Sequence, residues 1–421
     1  MELPPVRSVL AVADDLSGAA ETAAGLSSRT TRSRVLLLGP DGTCPEQMSA
    51  ADAHTVTVLD LDSRQCPAED AADAVRGALR RTATGGTLVL KKIDSLLRGN
   101  VAAEVAALAG DGAGVVVAPA LPVAGRVVRA GVVHIGGVPL HESEAWRAEA
   151  TAPPSSVADA LGGLPTALVP LATVRASRHT LLAALRAAVA AGRVAVCDAE
   201  TDADLDAIVG ACLAGDPRPH LVGTGGLAVA LGRQLADGAL ATPAETVAAA
   251  DRPVLVVVGT AEPGAVEQVR RLVADGAVHL PLPLDGLLSE TPVATPPLTA
   301  PVTVLTIAGP VPAPARPAGP GPVPARRLVH GLARTVAGTL TTHGGAVDLV
   351  LTGGETARRV LDALAITRLD PVGQVHHGAV HLRTPDGRSV VTRPGSFGDP
   401  DSLRHIVRAL RPHSTERKVT S

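Results

Sequence analysis

Lys91, Lys92, Asp94, Arg98 and Asn100 fall within one stretch, KKIDSLLRGN, directly after the apolar run TLVL. Lysine occurs only three times in the chain, so two side by side next to Asp94 and Arg98 need a reason. An ammonium is a compact charge and a guanidinium a planar fork matched to carboxylate or phosphate, so the pair of types suits an anionic ligand. Asp94 among these cations is expected to be ionised, either holding the cluster together or meeting a ligand hydroxyl. Asn100 is placed to cap the helix VAAEVAALAG. Lysines merely exposed at a strand end are the competing reading.

Four further stretches carry candidate chemistry. In VLAVADDLSGAAETAAGL an apolar strand runs into Asp14 and Asp15, Gly18 permits a tight turn, and Ser17 is the expected N-cap of the following helix. The two aspartates either cap the helix and face solvent, or act as a general base and orient substrate hydroxyls. In LVLTGGETARRVL, a strand, paired glycines and a helix start put the backbone N–H groups of Gly353, Gly354, Glu355 and Thr356 where they could surround a phosphate. Glu355 would approach a nucleotide through Mg²⁺ or face ribose hydroxyls. In RPGSFGDPDSLRHIVRAL, Gly395 and Gly398 bracket the sole Phe, Phe397, and Asp399–Pro400 reads as a helix opening. Thr260, in VVVGTAEPG, stands at a similar strand-to-turn point and could touch a phosphate.

The elements that must position these residues read as α/β. Runs at Val9–Ala13, Arg34–Leu38, Thr55–Leu59, Thr87–Leu90 and Gly114–Ala118 alternate with Ala-rich helical stretches such as Ala68–Arg81 and Val101–Leu108. A second series starts at Pro253 and resumes at Val347. The pattern predicts two domains, 1–240 and 241–421, each a mostly parallel sheet flanked by helices, with the active site in the cleft between them. At 421 residues the chain exceeds what one core usually organises. The segment Pro310–Arg327 is so rich in Pro and Gly that a loop or extended connector is expected, and neither helix nor interior strand.

Composition narrows the function. A net charge of −3 with interspersed signs leaves no basic footprint for nucleic acid or an anionic membrane, and with one Trp, one Phe and no Tyr there are no stacking platforms for bases. Cys44, Cys66, Cys197 and Cys212 are widely spaced, which predicts buried reduced thiols and no zinc site or disulfide framework. The apolar VLAVA is too short for a signal peptide or a membrane span, so a cytoplasmic protein is expected. Oligomeric state is not readable, and a homo-oligomer is compatible with the sequence. Two other motifs compete. LVGTGGLAVAL fits a dinucleotide fingerprint through Gly223, Gly225 and Ala228, but it lies far from the first βα turn. His141, Glu142 and Glu144 match no metal spacing, and no metal-ligating set is assigned.

No lysine follows a glycine, so a Walker-type phosphate loop is excluded. The segments ADDLSGA, KKIDSLLRGN, APALPVAGR, VPLHESE, LTGGETA and PGSFGDPD, in this order, resemble the four-carbon acid sugar kinase family over essentially the whole chain. The resemblance implies an N-terminal acid-sugar domain, a C-terminal ATP domain, and Mg²⁺-assisted phosphorylation of a hydroxyl on a threonate, erythronate or 3-oxo-tetronate. It assigns catalytic roles to Asp14, Asp15 and Asp94. It places the sugar acid against Lys92, Arg98 and Asn100, with Lys91 on the other side of its strand, and the nucleotide against Thr260, Gly353, Gly354, Glu355, Thr356 and Gly395. An NAD(P)-dependent dehydrogenase built on Gly223 and Gly225, and a non-catalytic sugar-acid-binding protein, are the alternatives.

Overall fold

A computed structural model describes residues 6, 8–27, 32–39, 55–82, 86–110, 112–146, 149, 151–235, 252–260, 262–308, 323–395 and 397–412. The chain divides into two compact units, Met1–Thr242 and Pro243–Ser421.

In the first unit the strands are β1 (Ser8–Ala13), β2 (Arg32–Leu37), β3 (Thr55–Asp60), β4 (Thr87–Lys92), β5 (Val115–Ala118), β6 (Arg126–Arg129), β7 (Val132–Ile135), β8 (Val138–Pro139), β9 (Thr166–Val169), β10 (Val194–Cys197) and β11 (His220–Gly223). All but three form a parallel sheet in the order β2-β3-β1-β4-β11-β5-β10-β9. The exceptions, β6, β7 and β8, make a small antiparallel sheet that the sequence reading did not foresee. Central strands such as VLAVA and VVVA are almost wholly buried, because helices cover both faces of a parallel sheet and leave no strand side for water.

The second unit holds β12 (Val254–Val258), β13 (Val278–Leu282), β14 (Val302–Ile307), β15 (Asp348–Thr352), β16 (Arg368–His376), β17 (Ala379–Arg383) and β18 (Ser389–Arg393). Strands β13-β14-β12-β15-β18 are parallel, and β17 and β16 continue as an antiparallel hairpin with register shifts near Pro371 and Gln374. The core is Val, Leu and Ala, as an almost aromatic-free composition requires.

Two expectations are corrected here. A helix spans Val323–His343, so Val323–Arg327 of the Pro-rich segment is helical; Pro324 sits in the first turn, where an N–H has no intrahelical acceptor to lose. Residues 309–322 lie outside the described set, as do residues 236–251, around the expected boundary at 240/241, and Cys44. Cys197 and Cys212 are buried, but Cys66 is exposed. Among the described residues no helix is long and apolar enough to cross a membrane.

Candidate functional sites

Parallel pairing brings the chemistry-bearing residues of the first unit to one end of the sheet. Ala13, the last residue of β1, is in register with Asp60 of β3 and with Lys92 of β4, and Lys92 in turn with Gly223 of β11. The segments leaving β1, β3 and β4 therefore emerge side by side at the carboxyl edge, where ligands of open α/β sheets collect.

Asp14 and Asp15 are bridged by an arginine that the sequence reading missed. Arg64, in the turn after β3, places Nε 2.7 Å and Nη2 3.0 Å from the two oxygens of Asp14, and Nη1 2.8 Å from Asp15 Oδ2. Its signal was positional: it closely follows the strand run TVTVL, which ends beside the other two strand ends. Asp15 is also the N-cap of the Leu16–Leu26 helix, its Oδ1 accepting from Gly18 N at 2.8 Å. Ser17 lies inside that helix, so the capping expectation moves two residues back. Burial opposes ionisation of both aspartates. For Asp14 the Arg64 guanidinium, with Lys91 and Lys92, wins and holds the carboxyl below its usual range; for Asp15 burial and the charge of Asp14 outweigh Arg64 and push it up.

Lys91 and Lys92 go to opposite faces of the sheet, as adjacent strand residues must. Lys91 is fully buried with Nζ 3.0 Å from Glu104 Oε2, on the Val101–Ala109 helix. Lys92 Nζ lies 3.5 Å from Glu21 Oε2, on the Leu16–Leu26 helix. Each lysine thus meets the single acid of an otherwise uncharged helix, a signal that was present in the sequence. A methyl group at Gly18 would come within 3.0 Å of Lys92 Nζ, so this glycine lets the ammonium approach the helix start.

Asp94 receives a bidentate fork from Arg98, Nε and Nη2 each at 2.8 Å, and the Leu96 N–H at 3.0 Å. Burial pushes its carboxyl up, but the Arg98 hydrogen bonds and the charges of Arg64, Arg98 and Lys92 together hold it far below the usual range. Arg126 donates to Ser95 Oγ. Asn100 precedes the Val101–Ala109 helix but its side chain does not cap it; Nδ2 donates to Ser63 O and Cys66 O, each at 2.9 Å, tying down the turn that carries Arg64. Asp62 (φ 51°) and Leu97 (φ 61°), in the two turns that meet here, are left-handed although neither is glycine. Such strain concentrates where a site fixes its backbone.

In the second unit, β12, β15 and β18 end together, with Val258 in register with Thr352 and Thr352 with Arg393. This gathers Thr260, Gly353, Gly354, Glu355, Thr356 and Gly395. Gly353 is left-handed (φ 96°) and its N–H donates to Arg393 O at 2.8 Å. A methyl group on Gly259 would lie 2.1 Å from Thr356 Oγ1, and one on Gly395 3.2 Å from the Thr260 side chain, so these glycines mark contacts between the three turns. Thr260 Oγ1 accepts from Glu262 N at 3.2 Å. The loop carrying Gly395 is held from behind by Arg393, which is fully buried. Its Nη1 donates to Gln268 Oε1 (2.6 Å) and Ser402 Oγ (2.9 Å), and its Nη2 to Gly395 O (3.1 Å). Burial without a carboxylate partner pushes this guanidinium down to about 10. The next helix starts at Ser402 behind Asp401, not at Pro400; Asp399 Oδ1 instead accepts from Asp401 N at 2.9 Å.

The glycines of the competing dinucleotide motif have a packing explanation. A methyl group on Gly223 would lie 2.6 Å from Ala118 O, and one on Gly225 2.4 Å from the Glu21 carboxyl carbon; farther along the Gly225–Leu235 helix, one on Gly232 would lie 2.1 Å from Gly25 O. Gly225 and Gly232 let this helix lie against the Leu16–Leu26 helix, and Gly223 lets β11 pair closely with β5. His141 is 3.7 Å from Glu142, and among the described residues no group of three or more His, Cys, Asp or Glu could hold a metal ion.

Comparison with known proteins agrees with this division. The family model described as a sugar-binding N-terminal domain matches residues 9–231, and that of a nucleotide-binding C-terminal domain matches 255–403. A D-threonate kinase of Cupriavidus necator is 35% identical, the match covering 96% of this chain and 98% of that protein. A 3-oxo-tetronate kinase of Methylobacterium radiotolerans is 30% identical over 93% of this chain and 96% of its own. A solved Salmonella typhimurium LT2 protein, 21% identical, shares the fold at a TM-score of 0.75, with 97% of this chain and 100% of that chain covered. With its two matched domains and relatives aligned over nearly their whole length, the chain belongs to the four-carbon acid sugar kinase family.

Proposed function

We propose that this protein transfers the terminal phosphoryl group of ATP to a hydroxyl of a four-carbon sugar acid of the tetronate or 3-oxo-tetronate class. The observation that carries this reading is the convergence of Asp14, Asp15, Arg64, Lys92, Asp94 and Arg98 from adjacent strand ends in the unit matched by the sugar-binding model. The first unit binds the acid and the second the nucleotide. Among the described residues Lys92 is paired only with Glu21, at 3.5 Å, so its ammonium has donors left for the substrate carboxylate. Asp94, doubly bonded to Arg98 and strongly ionised, is a poor proton acceptor and serves to orient. Asp15, pushed up by burial, is the better match for the base that takes the hydroxyl proton. Asn100 acts through the Ser63–Cys66 turn.

Thr260, Gly353, Gly354, Thr356 and Gly395 cradle the phosphates with backbone and hydroxyl groups. Glu355, exposed in the first turn of the Gly354–Ala363 helix, is a single carboxylate of the kind that supports Mg²⁺ together with substrate phosphates. When bound, that ion would neutralise charge on the phosphates.

The test is ADP release from ATP and Mg²⁺ with D-threonate, D-erythronate and 3-oxo-tetronate tried separately, and detection of the phosphorylated acid. Absence of product from all three, with an active relative run in parallel, rejects the reading.

A further inference from the structure

Ser63, Lys91 and Glu104 form a polar island in the first unit, none of them more than 1% exposed. Glu104 Oε2 is 3.0 Å from Lys91 Nζ, and Glu104 Oε1 accepts from Ser63 Oγ at 2.5 Å. Burying such an ion pair is a poor way to gain stability, since apolar residues of the same volume usually do as well or better. What the island touches gives it a use. Ser63 immediately precedes Arg64, and its carbonyl is one of the two that Asn100 clamps. Arg64 N donates to Asp14 O at 3.1 Å, and Gly99 (φ 86°) packs so closely that a methyl group there would be 3.3 Å from both Arg64 Cγ and Asp14 Oδ2. The turn bearing the bridging arginine is thus held from the segment that follows KKIDSLLR, through Gly99, Asn100 and Glu104.

We infer that Glu104, paired with Lys91, is a positioning residue that anchors Ser63 and thereby sets the Arg64 fork against Asp14 and Asp15 for binding of the sugar acid. The inference rests on the acid-sugar reading of that site. It gives the adjacent lysines different tasks: Lys92 faces the ligand, and Lys91 neutralises the anchor of the arginine.

Steady-state kinetics of the full chain with ATP and the accepted sugar acid, on Ser63→Ala, Ser63→Thr, Glu104→Gln and Arg64→Gln, tests it. Ser63→Ala removes only the anchoring hydroxyl. It should raise the KM for the sugar acid about tenfold, with kcat and the KM for ATP nearly unchanged, because one hydrogen bond to a charged acceptor is lost. Ser63→Thr keeps the hydroxyl and should recover most of the loss, while Glu104→Gln should raise the same KM and, by leaving Lys91 buried without its carboxylate, also lower the melting temperature. If Arg64→Gln raises the sugar-acid KM but Ser63→Ala lowers only the melting temperature, the island is structural and the inference falls alone. If Arg64→Gln leaves the sugar-acid KM untouched, the acid-site reading fails and takes the inference with it.

Discussion

Gly259→Ala should impair use of ATP without reaching the sugar acid. The added methyl group would stand 2.1 Å from Thr356 Oγ1, 3.0 Å from Cγ2 and 3.1 Å from Cβ, whereas real contacts of this kind are essentially never below 3.0 Å. Thr356 must therefore retreat by about 1 Å, a displacement that elsewhere costs up to about a hundredfold in rate when it shifts groups that hold a reactant. It is only 3% exposed and sits in the first turn of the Gly354–Ala363 helix, so it cannot swing into solvent without moving the backbone N–H groups beside it. The overpacking itself costs about 1–3 kcal/mol. The expected result is a fall in kcat/KM for ATP of about ten- to a hundredfold, read by coupled ADP assay, with the sugar-acid KM nearly constant. The double variant Gly259→Ala/Thr356→Ala should be little worse than Thr356→Ala alone, because the atoms at 2.1 and 3.0 Å are gone. Additive losses in that cycle, or unchanged ATP kinetics in Gly259→Ala, would refute the steric argument.

Lys91→Met leaves Glu104 buried beside an apolar chain and should destabilise the first unit by about 3–5 kcal/mol, while Lys91→Met/Glu104→Leu recovers most of it; thermal unfolding followed by circular dichroism reads both. Gly232→Ala drives a methyl group to 2.1 Å from Gly25 O, so it should lower the melting temperature by an amount equivalent to about 1–3 kcal/mol and leave the KM values in place, as a packing glycine requires and a ligand-binding one does not. Asp94 is depressed in the folded state, so its contribution to stability is present above its unfolded pKa of about 3.9 and is lost as pH falls below that. Arg98→Gln removes the strongest of the opposing influences and leaves burial, so Asp94 rises toward or above its unfolded value and the share of the acid-side fall in melting temperature that Asp94 supplies should shrink, giving a shallower decline than in the unsubstituted protein; declines of equal slope between pH 3 and 6 would contradict this.

Strands β1 to β5 were legible because each is a short apolar run set off by helical or turn-forming stretches, and the expected and observed bounds differ by a residue or two, as at β4, which takes in Lys91 and Lys92; the parallel strands β9, β10, β13 and β14 were not read from the sequence. The strand ends then placed Asp14, Lys92 and Gly353 at carboxyl edges by topology alone. Arg64 was not legible from type, because arginine is the default cation of this chain; only its register beside β1 and β4 singles it out. The caps failed at Ser17, Asn100 and Asp399 because several acceptors compete near each helix start, and packing chose Asp15 at the first while drawing Asn100 to Ser63 and Cys66. The antiparallel hairpin β16–β17 escaped because Pro371 and Gly373 interrupt its alternation at the register shift.

Four cations of the proposed acid site already face carboxylates: Arg64 with Asp14 and Asp15, Arg98 with Asp94, Lys92 with Glu21 and Lys91 with Glu104. This balance bears on how a turnover ends. Phosphorylation adds about −1.5 to −2 charges to a substrate that enters as a monoanion. A pocket with a large cationic excess would hold that product more firmly than the substrate. Here the added charge finds few unmatched cations and several nearby carboxylates, so the phosphorylated acid should leave easily, and its inhibition constant should exceed the KM of the acid from which it was made.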